Sequence, residues 1–352
     1  MPGPRTLHPL DEWHPVLPAH ELRSRPVECH LFEREIVLYR GLGRRAHALD
    51  NRCPHRRMRL ALGHVEGDRI VCPYHGWNFG PDGCGASPAT PDAKPRATCY
   101  DVLEHHGMVW LRDSRGSGDM PVLEYPGFRP LGHLHHRLNA PLALLLDNMT
   151  ELEHTASVHA IFGFETAHLH AVRTEVRDTP EAIEIDYEGP QRKLPLHLSL
   201  ATGLQRGDRF VQRAVVRHRP QQAVYDLEWF ARDTLLQRPL ALKFVIFFND
   251  VGAKAGTQTT FVFGQAQSLR IRTALRLFAA VLLHHIDCEL RADIRLVEQL
   301  QLDPEAATGG ALGRFDRPLV LRRRAEAHAA AATASPGAPS ATPTVWLQPV
   351  PR

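Results

Sequence analysis

Cysteine is scarce in this chain, with six in 352 residues: Cys29, Cys53, Cys72, Cys84, Cys99 and Cys288. The first residues, MPGPRTLHPLDEW, carry no leader-like apolar stretch. On these grounds no disulfide framework is expected. Long hydrophobic runs are also missing. Without about 18 consecutive apolar residues, no transmembrane helix is expected. Excess charge is missing too, since 42 Lys+Arg face 39 Asp+Glu. The resulting +3 gives no electrostatic reason to expect nucleic acid or a membrane surface as partner. The expected compartment is the cytoplasm. Internal repeats are absent.

What remains is ordinary globular material. Hydrophobic residues are 43% and charged residues 23%, enough to build a core. The length suggests two domains. Short β-rich segments broken by Gly, Pro and Asp run from about 26 to 112: Val27–Phe32, Glu35–Tyr39, Ala46–Leu49, Arg69–Cys72, Tyr100–Leu103 and Met108–Leu111. Ser114–Pro130 is a loop-rich boundary. Pro141–His159 then has a helical pattern. Five strand-like segments follow between 173 and 267: Ala182–Tyr187, Phe210–His218, Ala223–Phe230, Leu242–Phe248 and Thr259–Gln265. Residues 268–302 lack Gly and Pro and repeat at helical spacing. The expectation is an α+β chain with an all-β domain over 1–120, a second domain over 121–320 with an antiparallel sheet and flanking helices, and a flexible Ala/Pro-rich tail over 321–352.

Twenty-two histidines make the question which cysteines have one beside them. Cys53-Pro54-His55 is followed, after sixteen intervening residues, by Cys72-Pro73-Tyr74-His75. Thiolates and imidazoles at such spacing hold a metal. A Cys2His2 zinc site is one reading, although zinc fingers keep like ligands together and here they alternate. The alternation suits an asymmetric two-iron cluster, with both thiolates on one iron and both imidazoles on the other. Four unrelated buried residues is the bland reading. Cys29, Cys84, Cys99 and Cys288 fit no ligand position.

A second group lies in the first helical segment. His154 and His159 are five apart, with Glu151 three before the first. On a regular helix such a pair diverges by about 140°, so a shared metal requires distortion or a helix end near His159. A third ligand has to come from elsewhere. The late helix offers Asp293, and Asp287, Glu289 and Glu298 are equally visible carboxylates. Two His and one carboxylate form the facial triad of non-haem Fe(II) oxygenases. Asn148, Ile161, Phe162 and Phe164 are candidates for an apolar pocket.

The string Cys53-Pro-His-Arg … Cys72-Pro-Tyr-His-Gly-Trp77 resembles the Rieske iron–sulfur domain, over about residues 12–113. Asn148-x-x-Glu151-x-x-His154-x4-His159, with the later Asp293-Ile-Arg-Leu-Val-Glu-Gln299, extends the resemblance to terminal oxygenase (alpha) subunits of the Rieske non-haem iron family, in their compact monooxygenase, demethylase and ketosteroid-hydroxylase branch. The resemblance implies a [2Fe–2S] cluster on Cys53, His55, Cys72 and His75. It implies Fe(II) on His154, His159 and Asp293, with Asn148 and Glu151 as functional residues. Two departures stand out. Arg57, Met58 and Arg59 replace the small residues common after the first loop, and Glu151 stands where the family usually has Asp. Asp147 and Glu153 are alternative carboxylates for that role.

The resemblance also implies O2 as co-substrate, with electrons from NAD(P)H through a flavin reductase and/or ferredoxin. It implies a homotrimer in which the path runs from His75 to Glu151 to His154 between subunits. The reaction expected is hydroxylation or oxidative dealkylation of a mostly apolar aromatic or alicyclic small molecule. A ring-dihydroxylating dioxygenase is the alternative. A Rieske electron-transfer protein with an inactive second domain is the reading from another class.

Overall fold

The computed structural model describes residues 9–219, 221–234, 236–300 and 311–333. Contacts divide the chain into Met1–Leu123 with Phe247–Thr259, and Glu124–Ile246 with Thr260–Arg352.

The first unit contains β1 (His14–Pro18), β2 (Val27–Leu31), β3 (Arg34–Arg40), β4 (Ala46–Asp50), β5 (His64–Glu66), β6 (Arg69–Val71), β7 (Asn78–Phe79), β8 (Gly85–Ala86), β9 (Cys99–His105) and β10 (Met108–Asp113). Six form one sheet in the order β1-β10-β9-β4-β3-β2, and four form a smaller one, β5-β6-β7-β8. All six segments expected from the sequence are strands. β1 was hidden by Pro15 and Pro18, which a sheet accepts because β1 lies at its edge. β5, β7 and β8 are too short for a period to register.

β3 is buried on both faces, and its alternation sorts side chains between two cores. Ile36 and Leu38 join Leu31, Val109 and Leu111. Val37 and Tyr39 join Leu60, Ile70, Phe79 and the two motif cysteines, Cys53 and Cys72. The motif loops are therefore anchored to the hydrophobic core of this unit by their own sulfur-bearing residues.

The second unit contains β11 (Arg129–Leu138), α1 (Leu142–Thr150), α2 (Glu153–Val158), β12 (Arg173–Asp178), β13 (Ala182–Pro190), α3 (Leu196–Thr202), β14 (Arg209–Arg217), β15 (Gln222–Phe230), β16 (Gln237–Gly252), β17 (Ala255–Ala266), α4 (Leu269–Leu300) and α5 (Arg317–Thr333). Its sheet runs β11-β17-β16-β15-β14-β13-β12, with antiparallel pairing from β12 to β15. In β15 the alternation is clean, with Ala223, Tyr225, Leu227 and Trp229 buried between half-buried neighbours. On α4, Leu282, Ile286, Leu290, Ile294 and Val297 form a buried stripe at helical spacing. Two carboxylates, Glu289 and Asp293, lie on the same buried side.

Two expectations about organisation are corrected. Residues 121–320 are not one continuous block, because Phe247–Thr259, the far end of the β16–β17 hairpin, belongs with the first unit. There Asn249 bonds the buried His14 ring at 2.8 Å, and Phe247 meets Trp110 edge-on at 5.1 Å. The tail expected to be flexible from 321 begins instead as α5. It is tied down by Arg322, whose side chain is buried, so the Ala-rich composition did not decide its fate. Residues 334–352 lie outside the described residues. No helix among those described is long and apolar enough to cross a membrane.

Candidate metal centres

The Cys53 loop follows β4, and the Cys72 loop joins β6 to β7. The two loops share one hydrogen-bond pattern. The Cys53 N–H donates to Met58 O at 2.9 Å, and the Cys72 N–H to Trp77 O at 2.7 Å. Four residues on, Arg57 N–H donates back to Cys53 O at 2.9 Å and Gly76 N–H to Cys72 O at 3.1 Å. Arg57 and Gly76 both close their turns in the left-handed region, with φ of 60° and 69°. Both cysteines are buried and both histidines are exposed. The His55 and His75 rings are 4.6 Å apart, and His55 stacks on Trp77 at 4.5 Å with 6° between planes.

This splits the donors into two sulfurs inside and two nitrogens outside, as the asymmetric cluster requires. Burial, with Cys72 alongside, pushes the Cys53 thiol up to about 11. Paired buried thiols are held as thiolates only by a compensating cation, so the donor set fits iron.

The second group is assembled by a helix break. α1 ends at Thr150, and Glu151 is extended, with φ −104° and ψ 158°. One carboxylate oxygen of Glu151 then accepts from the backbone N–H of Glu153 (2.5 Å) and His154 (3.3 Å), capping α2. Its other oxygen meets Nδ1 of His154. Glu151 and His154 are thus joined by a cap, not by sharing one face of a continuous helix. α2 ends at Val158, and His159 is extended, at φ −85° and ψ 146°. The five-residue spacing converges because the helix stops there.

Asp293 of α4 completes the group. His159 Nε2 lies 3.0 and 3.1 Å from the two Asp293 oxygens, and His154 Nε2 lies 3.5 Å from Oδ1. Ligand atoms of His154, His159 and Asp293 all fall within 4.8 Å of one another. With Nδ1 of His154 donating to Glu151, its Nε2 lone pair is free toward Asp293, the usual arrangement behind a metal-bound imidazole. The donor set fits a divalent iron.

The competing carboxylates are occupied. Asp287 accepts from His136 at 2.7 Å and Arg291 at 2.7 Å. Glu298 accepts from the Asn139 N–H at 2.8 Å. Asp147 is buried in ion pairs with Arg322 and Arg323, which removes it as an alternative to Glu151, and Glu153 is exposed. Glu289 accepts from the N–H groups of Ala160 (2.7 Å), Ile161 (2.6 Å) and Phe162 (3.4 Å), and lies 3.5 Å from His159 Nδ1. Burial raises its pKa against the pull of His159 and those N–H groups.

Sequence reasoning missed this capping role of Glu289. It also missed Arg192, which donates to Thr155 O at 3.1 Å, and the Arg322–Asp147 pair. A run of three arginines, Arg322 to Arg324, in an Ala-rich stretch was the only available signal for the last. Among the pocket candidates, Phe164 is fully buried core against Phe210, and Asn148 has a buried Nδ2 without a hydrogen-bond partner.

Residues 12–103 match the family model of the Rieske [2Fe–2S] domain. Chlorophyllide a oxygenase of Arabidopsis thaliana is 35% identical over 163 residues, 44% of this chain and 30% of that protein. Methylxanthine N1-demethylase NdmA of Pseudomonas putida is 30% identical over 206 residues, 51% of this chain and 58% of the relative. The alignments thus span between about a third and three-fifths of these relatives. Among solved structures, dicamba monooxygenase bound to 3,6-dichlorosalicylic acid superposes with a TM-score of 0.71 at 18% identity, over 93% of this chain and 99% of that one. The α+β fold expected from the sequence is shared with this solved structure over 93% of the chain, and the Rieske match lies in the first unit. The [2Fe–2S] part of the cofactor set read from the sequence agrees with the matched domain, and His154, His159 and Asp293 are a group that could hold a metal ion.

Proposed function

We propose that this chain, which has the fold of a Rieske oxygenase alpha subunit, is the terminal oxygenase of a monooxygenase system that hydroxylates or oxidatively dealkylates an aromatic or alicyclic small molecule. One observation carries the reading: His154, His159 and Asp293 converge from α2, its end and α4, in a chain whose other unit carries the Rieske loops. In this reading Cys53, His55, Cys72 and His75 hold the cluster, and His154, His159 and Asp293 hold the iron. When bound, the two groups supply one-electron delivery and activation of O2.

The chain's own residues orient and insulate. Glu151 fixes the His154 ring through Nδ1, and through its cap sets where α2 begins. Glu289 holds the turn that follows His159 by its three N–H groups, so the ring cannot swing away from Asp293. Asp293 is 2% exposed, and this burial keeps bulk water off the carboxylate. Asn148, whose buried Nδ2 has no hydrogen-bond partner, is the residue this reading assigns to orienting a polar atom of substrate.

Dealkylation is favoured over ring dihydroxylation because relatives include a methylxanthine N1-demethylase and a vanillate O-demethylase. Electrons come from NAD(P)H through a flavin reductase, directly or by way of a ferredoxin; the assembly is a homotrimer and the compartment the cytoplasm. A test begins with iron content. Three irons per chain are expected, and two would favour the electron-transfer reading. Asp293→Ala should bring the count to two and abolish turnover while leaving the reduced-cluster EPR signal unchanged. Product mass from a substrate screen, scored for one added oxygen or a lost alkyl group, then separates monooxygenation from dihydroxylation.

A further inference from the structure

α3 and α4 bring together a second pair of imidazoles. His197, in the first turn of α3, faces His285 of α4, with Nε2 of each 3.0 Å from the other. The rings lie nearly parallel, 28° between planes, with centroids 5.2 Å apart. His285 precedes Asp293 by eight residues, about 12 Å along the helix axis, so the pair is separate from the triad.

We propose that His197 and His285 form a surface site for a divalent transition ion of borderline softness, of the Zn2+, Cu2+ or Ni2+ class. Two imidazole nitrogens on one such ion, each about 2.0–2.1 Å from it, are about 2.9–3.4 Å apart for bond angles between square and tetrahedral. The observed 3.0 Å lies in that window and equals the His159–Asp293 separation in the triad. A neutral N–H···N hydrogen bond gives a similar distance, so the pair is preformed in the absence of an ion and little ordering is needed to bind one. His197 is exposed and His285 half-buried, which leaves the remaining coordination positions open to water. Imidazoles select this class of ion over Mg2+ and Ca2+, which prefer oxygen ligands.

The ion would clamp two segments that both reach the iron centre. α3 follows Gln191 and Arg192, which bond the carbonyls of Ile161 (3.3 Å) and Thr155 (3.1 Å). α4 carries Glu289 and Asp293.

The test uses the full iron-loaded chain without a histidine tag and does not depend on the reaction proposed above. Zinc is titrated in competition with a chromophoric chelator. Wild type should bind one zinc per chain beyond the iron centres. His197→Ala and His285→Ala should each weaken that binding at least tenfold, with cluster absorbance, iron content and circular dichroism unchanged. His284→Ala should leave it intact. Wild-type affinity in both pair variants, or a loss in His284→Ala or Cys288→Ser equal to that in His197→Ala, overturns the assignment.

Discussion

Arg57 and Gly76 occupy the same place in two matching turns, each donating its N–H to the cysteine that opens its loop. Their φ values, 60° and 69°, both lie in the left-handed region. Glycine reaches that region freely, whereas a side chain there costs roughly 1–2 kcal/mol. The first loop holds an arginine in strain where the second has no strain to hold.

Replacing Arg57 with Gly should therefore stabilise the Rieske unit. The gain is about 1 kcal/mol or less, since glycine's extra freedom in the unfolded chain offsets part of the relief. Thermal loss of cluster absorbance measures it, and a lower midpoint in the glycine variant would contradict the strain argument.

Glu151 both caps α2 and holds His154, and substitutions separate the two roles. Glu151→Gln keeps an acceptor oxygen for the cap, so stability should fall by under about 1 kcal/mol. It replaces a carboxylate by a neutral amide at Nδ1 of His154, so oxidation of a pre-reduced cluster in single turnover should slow at least tenfold with both metals bound. Cluster oxidation at the wild-type rate would place Glu151 in a capping role only.

Asp147 pairs with two guanidinium groups of α5, of which Arg322 is 4% exposed and Arg323 33%. Asp147→Asn should destabilise the second unit by about 3 kcal/mol, chiefly by leaving the buried Arg322 charge with Glu326 as its remaining carboxylate partner. Pairing Asp147→Leu with Arg322→Met should recover much of that loss. Urea unfolding followed by tryptophan fluorescence reads both, and equal losses in the single and double variants would contradict the ion-pair account.

Burial pulls the His135 pKa down to about 4, helped by His136 and His133. The folded chain keeps this ring neutral, whereas the unfolded chain protonates it near 6.5. The unfolded state thus binds more protons between these values, and stability falls as pH drops from 6.5 toward 4. The full effect is about 3 kcal/mol at the low end. His135→Gln should flatten the slope of unfolding free energy in that window, and an unchanged slope would assign the acid sensitivity to other groups.

Much of this was legible in the chain itself. Cys53, His55, Cys72 and His75 lie in two short loops, so their mutual spacing is visible in one dimension. Strand identity was legible where alternation ran for several residues, as in β15, and lost in the very short β5, β7 and β8, although the three-residue β6 was read.

What needed the folded chain were relationships between distant segments. Asp287, Glu289, Asp293 and Glu298 are equivalent carboxylates in sequence. Packing distinguishes them, turning Asp293 toward His154 and His159 while His136 and Arg291 occupy Asp287. Glu289 differs by meeting three backbone N–H groups, which no side-chain motif encodes. The fate of α5 likewise followed from one buried charge pair spanning 175 residues. Local composition governs what a segment can form alone, and long-range burial and charge pairing decide which of those possibilities is used.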